Sequence, residues 1–406
     1  FGLLAATVLA TVVSYCSTLP QQEGVRIYDL QLNGLVWSAS AGRLYGISES
    51  RPDSVIRVDP ETGASESFAA GPKLSAIASD SGGGVWVACN GDGTIRRINL
   101  ATMAVEETLT IPGLGNFTGL TVSSGDPFSL VACRESDARF GLPRGYYVRR
   151  GVLLPDSVPL SGAVIENGTV FGIYGNVLWR LNLAQNGFVA GQLLYHHTAH
   201  GELESFEGRI YHDSGLEIDA ATGAGLPGFS LPHWSPASTT INPQDGSVYL
   251  LSGYFGRLAL SRFDRETRAQ TGLLVFKSTE GLAGASLRAW SNRVAFAASG
   301  GKLYVVDTEK AFLPADLEVL QTVSPAKANF GELPVVSLIV TNKGPGPALN
   351  FRWNVELDRS FLVTPIPHGF SNVLNFDYFS LLTRTWETTP YPSGPANPRF
   401  LNRAAI

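Results

Sequence analysis

The chain has 406 residues, 44% hydrophobic and only 16% charged, which leaves room for a large buried core. Its 44 glycines, 24 prolines and single methionine suit many short strands and turns and exclude a mainly helical protein. A formal net charge of -5, with no basic run longer than Arg149–Arg150, argues against a nucleic-acid surface.

Residues Phe1–Tyr15 are apolar and uncharged, too short for a comfortable membrane span. Followed by the polar stretch Ser17–Glu23, they fit the apolar core of a secretory signal peptide that has lost its start. Residues 1–22 are therefore expected to be a hydrophobic leader, and the protein to be secreted or held at the cell envelope. Cys16 follows the bulky Tyr15, where a lipidation signal would place a small residue.

From residue 23 onward one pattern recurs. Val55–Gly63 reads V-I-R-V-D-P-E-T-G, an alternating apolar strand stopped by an Asp-Pro turn and a glycine. Comparable strand-and-stop segments return about every forty residues, a period that belongs to repeat architectures. Their stop residues are Asp59, Asn99, Asn182, Asp219, Asp264 and Asp307. Each side chain is expected to accept from backbone N–H groups a few residues on and so tighten a turn. Strung along the chain as they are, they are read as structural and not as a ring of cation ligands. Ahead of each stop lie two further apolar strands, such as Leu74–Ala78 and Gly83–Ala88 in the second unit.

Seven units are legible. The third is degenerate: it lacks the Asp turn and reads Gly119–Val122, Phe128–Cys133 and Gly145–Leu154, with Arg134–Arg144 as an inserted loop. Short strands at this spacing predict an all-β, seven-bladed β-propeller over residues 23–312. The seventh unit shows no outer strand, and Gly24–Leu30 (G-V-R-I-Y-D-L) is expected to supply it and close the ring. Cys89 and Cys133 sit at similar places in successive repeats. They read as small buried strand residues, with a bridge between repeats as the sharper alternative. No CxxC occurs.

After residue 312 the character changes. Strands joined by Gly/Pro turns suggest a partial immunoglobulin-like β-sandwich over 313–364. Residues 365–406 read as an irregular tail rich in Pro, Asn and aromatics, disordered or out of the true frame. The segments A-D-L-E-V-x-Q-T-V-S-P and V-x-L-x-V-T-N-x-G-P-x-x-A, within Ala315–Ala348, resemble the conserved-repeat Ig-like domain of bacterial surface and secreted proteins. The T-D-x-L-P motif that follows in that family is absent. The array from about Tyr28 to Asp307 is similar to YVTN-type and streptogramin-lyase-like propellers, which often adjoin such domains. Neither resemblance implies an enzyme.

One titratable cluster stands out, Y-H-H-T-A-H-G-E-L-E over Tyr195–Glu204. His196 and His200 would share a face if the segment were helical, and with His197 and Glu202 they make a candidate metal set. Zinc sites need convergence from more than one loop, so a solvated or interface loop is the competing reading. The streptogramin-lyase resemblance would call for His and Glu on the central face around a divalent ion. Glu202, His212 and His233 are loosely available for that, without a spacing that carries a role across. No cofactor is implied. A nucleophile elbow, a phosphate-cradling loop and a dinucleotide fingerprint are all lacking. The expected role is that of an exported, monomeric, non-enzymatic module binding a protein or glycan through its faces. The rival is a lyase or hydrolase of a small molecule in the central channel. The inner-strand starts Gly34, Ser75, Gly119, Ser161, Ser205, Ser238 and Ser286 favour the former.

Overall fold

A computed structural model describes residues 23–110, 115–135, 143–174, 177–196, 202–229, 235–254, 257–277, 286–298 and 301–312, and six further strands beyond them. The chain divides into two units, Gly24–Ala311 and the remainder. Among the described residues no helix is long and apolar enough to cross a membrane.

The first unit is all strand but for one helical turn, α1 (Thr308–Ala311). It begins with β1 (Val25–Asp29). A first sheet follows: β2 (Gly34–Ser38), β3 (Arg43–Ser48), β4 (Arg51–Val58) and β5 (Ser65–Ala69). The second is β6 (Leu74–Ser79), β7 (Gly84–Cys89), β8 (Thr94–Asn99) and β9 (Ala104–Thr110). Next come β10 (Phe117–Val122), β11 (Leu130–Arg134), β12 (Arg144–Arg149) and β13 (Val152–Val158), then β14 (Gly162–Glu166), β15 (Thr169–Tyr174), β16 (Val177–Ala184) and β17 (Gly187–His196). These two runs of four form one eight-stranded sheet, because β13 and β17 meet in a single parallel bridge, Asp156 opposite Gly187. Two more four-stranded sheets are β18 (Leu203–Phe206), β19 (Arg209–His212), β20 (Glu217–Asp219) and β21 (Gly225–Leu226), and β22 (Ser235–Ile241), β23 (Val248–Tyr254), β24 (Arg257–Phe263) and β25 (Gln270–Lys277). The last run is β26 (Ser286–Trp290), β27 (Arg293–Ala298) and β28 (Lys302–Asp307), completed by β1 from the start of the unit.

Within each run neighbouring strands are antiparallel and sequential, so the turns alternate between two ends of the sheet. First-to-second and third-to-fourth strand turns share one end. The first strands contact one another in cyclic order, β2 with β6, then β10, β14, β18, β22 and β26, and β26 with β2. That cycle encloses a central channel, the arrangement of a propeller.

The seam is closed as the alternation of Gly24–Leu30 leads one to expect. β1 pairs antiparallel with β28 from Val25–Val306 to Asp29–Lys302. A first-sheet turn locks onto it. Arg26 meets Glu61 at 2.8 Å, Tyr28 donates to the Pro60 carbonyl, and Arg293 of β27 also reaches Glu61. Across the same seam Trp37 stacks on Trp290 with ring centroids 4.3 Å apart.

Both faces of the middle strands pack against neighbouring sheets, which is why those strands carry near-continuous apolar runs. In β7, G-V-W-V-A-C, every residue is buried. One hydrophobic cluster lies between each successive pair of runs. Val36, Tyr45 and Val55 meet Ile77, Val85 and Val87 between the first two sheets. Leu44, Ile56 and Val58 meet Ala295, Leu303 and Val305 across the seam. Phe276, Phe296 and Tyr304 fill the interface before the last run. Burying each such side chain contributes roughly 1.5–3 kcal/mol, so the ring is held mainly by sheet-to-sheet packing.

Two departures from the sequence reading are local, and a third point decides between its two readings of the cysteines in favour of small buried strand residues. Gly145–Leu154 is not one strand but a hairpin, β12 and β13, turning through Arg150 and Gly151. Both turn residues have positive φ, 48° and 77°, the signature of a tight two-residue hairpin turn. Asn182 is not a turn residue. It lies inside β16 opposite Val189, because apolar pairing continues through Leu183 and Phe188 before the chain reverses. Cys89 and Cys133 are buried free thiols and are not bridged.

In the second unit Leu317–Ser324 pairs with Val335–Asn342, Arg352–Glu356 with Val373–Asp377, and Trp386–Pro390 with Phe400–Ala404. Each is a separate two-stranded antiparallel sheet. Three of these strands fall within 365–406, the stretch read from sequence as irregular.

Candidate functional site

The recurrent turns settle into one local geometry. In Asp59–Ala64, Asp219–Ala224 and Asp264–Ala269 the pattern is D-x-x-T-x-A. The Asp N–H donates to the Ala carbonyl, closing the loop. Asp Oδ1 accepts from the Thr N–H at 3.4, 2.7 and 2.7 Å, and the Thr hydroxyl accepts from the Ala N–H. Asn99 does the same with Thr102 and Ala104. Asp307 instead accepts from Lys310 N–H at the start of α1. These bonds hold the Asp219 and Asp264 carboxyls below the ordinary range, the Thr222 and Thr267 backbone N–H groups contributing most.

The central channel is a cavity of about 390 Å³. Its wall comes from first strands of six runs: Val36, Ile77, Leu120 and Val164 give apolar floor, and Ser79, Thr121, Ser123 and Ser205 give hydroxyls. The charged pair in it is Glu204 of β18 and Arg288 of β26, whose Oε2 and Nη1 stand 4.0 Å apart. Asp80 also lines it, but Arg97 and the Gly82 and Gly84 N–H groups already bind that carboxylate.

Behind Glu204 lies an acidic cluster. Glu202, two residues away and so on the same side of the extended chain, accepts from the Ser238 hydroxyl of β22 at 2.5 Å. Its own N–H donates to Asp213. Burial pushes the Glu202 and Glu204 carboxyls above the ordinary range, against the pull of Arg288. Glu204 is 36% exposed, but only to a channel ringed by protein, which is why burial still dominates.

Asp213 is 2% exposed and pushed up to about 7, chiefly by burial. Its Oδ1 faces His212 Nδ1 at 3.2 Å and makes no hydrogen bond. His212 Nδ1 already accepts from the Ser214 N–H, so a deprotonated Asp213 would set acceptor against acceptor. A proton on Asp213 relieves that contact.

Of the four metal candidates, His196 ends strand β17 opposite Val177, so the helical spacing that would align it with His200 does not begin there. Glu202 is occupied as described. His197 and His200 lie outside the described residues, as does His233. Among the described residues no three His, Cys, Asp or Glu side chains converge as a metal site requires. Sequence reading missed Glu204, Asp213 and Arg288 as a group. The β18–β19 hairpin sets Asp213 behind Glu204 and Glu202, and only the cyclic closure of the sheets brings Glu204 and Arg288, 84 residues apart, to one channel. Of the serines expected at the inner-strand starts, Ser205 lines the channel; its other hydroxyls come from Ser79, Ser81, Thr121, Ser123 and Ser124.

No family model matches the chain, and no curated protein matches it. Solved structures do. The Cps50 (Swd1) β-propeller domain of Myceliophteria thermophila is 11% identical over 70% of this chain and 99% of its own, with a TM-score of 0.52. Virginiamycin B lyase from Staphylococcus aureus is 11% identical over 70% and 98%, at 0.51. U3-55K is 10% identical over 70% and 98%, at 0.53. The fold is therefore an all-β, propeller-like ring. At these identities the likeness extends to the fold alone.

Proposed function

We propose that Gly24–Ala311 is a seven-bladed β-propeller that acts as a non-enzymatic interaction scaffold for a protein or glycan ligand. The observation that carries this reading is the cycle of seven first strands closed by β1, which holds turns from every sheet in fixed positions around one open end. The seven blades are the five four-stranded sheets and the two halves of the eight-stranded one. The scaffold is exported as a monomer and works at the cell envelope, with an Ig-like appendage after residue 312; the apolar leader and the Ala315–Ala348 resemblance support this. The binding claim is tested by panning the immobilised chain against a random peptide library and a glycan array. Enrichment that soluble chain competes away supports it, and no enrichment on either refutes it. Cell fractionation tests export: recovery in the cytosol alone would refute that part.

A second reading is lyase or hydrolase chemistry on a small molecule in the channel. It is favoured by one observation, the Glu204 and Arg288 charges facing each other in a cavity of about 390 Å³. A substrate turned over by the wild type and not by Glu204→Gln would establish it.

A further inference from the structure

The third run departs from four of the others at one point. Where four sheets turn between third and fourth strands through a carboxylate- or amide-capped D/N-x-x-T-x-A loop, this one turns through Arg150 and Gly151, with Arg149 ending β12 beside them. Arg150 occupies the left-handed region at φ 48°, where a tight hairpin favours Asn or Gly and a long side chain is strained. Both arginines are exposed. Arg149 has no ion pair or side-chain hydrogen bond to the described residues, and the Arg150 side chain is 85% exposed, with Asp126 no nearer than 4.0 Å. Asp126 is itself engaged by the Phe128 N–H and the Ser129 hydroxyl.

The two arginines rim a depression of about 770 Å³ whose walls include Tyr147, Leu154, Asn167 and Leu183. It shares Ser123 and Ser124 with the channel, so it opens from the channel mouth outward over the third and fourth runs. In its wall Leu183 is 38% exposed, and Val152, 61% exposed, follows the arginine turn on β13. Phe128, 39% exposed, packs toward the second run, its ring against Trp86 and under the Arg97 guanidinium. Phe128 is tied to the arginine turn directly, its carbonyl accepting from Gly151 N–H. The rest of the wall is mostly polar, Ser123, Ser124, Asp126, Ser129 and Asn167, so the hollow offers two exposed guanidinium groups beside a small apolar patch of Tyr147, Leu154 and Leu183, a combination complementary to a mixed acidic and apolar partner.

We infer that this depression is the docking site for an acidic peptide segment of a partner protein, its carboxylates meeting Arg149 and Arg150 and its apolar side chains entering beside Tyr147, Leu154 and Leu183. The inference rests on the scaffold reading above and specifies its partner. Guanidinium pairs recognise carboxylates bidentately, and apolar anchors in a hollow supply most of the affinity.

The test is fluorescence anisotropy with a labelled synthetic peptide alternating Glu with Leu and Phe, beside its Lys-for-Glu counterpart and a single-stranded oligonucleotide. Saturable binding of the acidic peptide is expected, weakened about tenfold or more by Arg149→Glu with Arg150→Glu and by raised salt. The control double reversal Lys73→Glu with Lys310→Glu should leave it unchanged. Arg150→Asn, which suits the turn, should weaken binding without loss of Tm, separating recognition from folding. Equal binding of the Lys peptide, insensitivity to the arginine reversal, or binding of the oligonucleotide alone would overturn the inference. Library selection on the same variants separates the two levels. Enriched peptides indifferent to Arg149 and Arg150 sink the inference and leave the scaffold reading standing; no enriched peptide sinks the inference, and the scaffold reading falls with it only if the glycan array is blank as well.

Discussion

Tyr28 of the closing strand donates its hydroxyl to the carbonyl of Pro60 in a first-sheet turn, 3.0 Å away, and its ring lies where Gly63 has no side chain. The last blade is thereby keyed to the first. Gly63 has φ 72°, and a Cβ there would enter the Tyr28 ring. Gly63→Ala should therefore cost more than about 1 kcal/mol, from backbone strain and from overpacking. Adding Tyr28→Ala should return part of that loss. Glu61→Gln, at a half-exposed pair, should cost less than about 1 kcal/mol. Urea unfolding of the four proteins checks the ranking, and equal effects of Gly63→Ala and Glu61→Gln would contradict it.

Removing β1 leaves β28 as an unpaired edge with buried V-V at its centre. A chain beginning at Leu30 should lose cooperative unfolding or pair with a second copy. Light scattering checks this. A stable monomer with unchanged Tm would show that the strand does not close the ring.

Asp213 predicts a pH dependence opposite to that of most carboxylates. The folded state keeps its proton up to about 7, while the unfolded chain releases it near the ordinary 3.8. Between those values the folded state binds more protons, so stability falls as pH rises across the window and levels off above it. Glu202 and Glu204 act in the same direction. Asp213→Asn should be more stable than wild type at pH 8 and less dependent on pH from 4 to 7, by a few kcal/mol at most. Denaturation curves across that range test this, and parallel curves for the two proteins would remove the assignment.

The turn carboxylates run the other way. Asp219 and Asp264 are held low by the Thr222 and Thr267 N–H groups, so what they contribute is present above the ordinary carboxylate range and is lost as pH falls through their lowered values. Asp264→Ala should lower Tm at pH 7, and the gap from wild type should close in acid. A gap that persists in acid would contradict the role.

Burial pushes the Cys133 thiol up to about 12 and also raises that of Cys89. Neither should react with a thiol reagent at pH 8 until the ring opens. Rapid labelling of Cys89 or Cys133 in the folded chain, read apart from Cys16, would show that the sheets separate far below global unfolding.

The parts legible in the sequence are those whose physics is local. β7 and β27 announce themselves as apolar runs because both faces are covered. Asp59, Asp219 and Asp264 mark turns because the side chain bonds to its own loop. The outer strands escaped. In β5, S-E-S-F-A, and β9, A-V-E-E-T-L-T, one face meets water and the residues are mostly exposed, so no burial pattern signals them. The Arg150–Gly151 turn escaped because an arginine at positive φ is a poor turn signal. The Glu204–Arg288 pair escaped because its residues meet only after the ring closes.

The most direct test of the docking account is amide hydrogen exchange of the chain with and without a peptide selected on it. The account predicts slowed exchange in 123–129, 147–152 and 183–188, the turns around the arginine-rimmed depression. Protection confined to the opposite end of the sheets, at 48–51, 90–93 and 213–216, would contradict it.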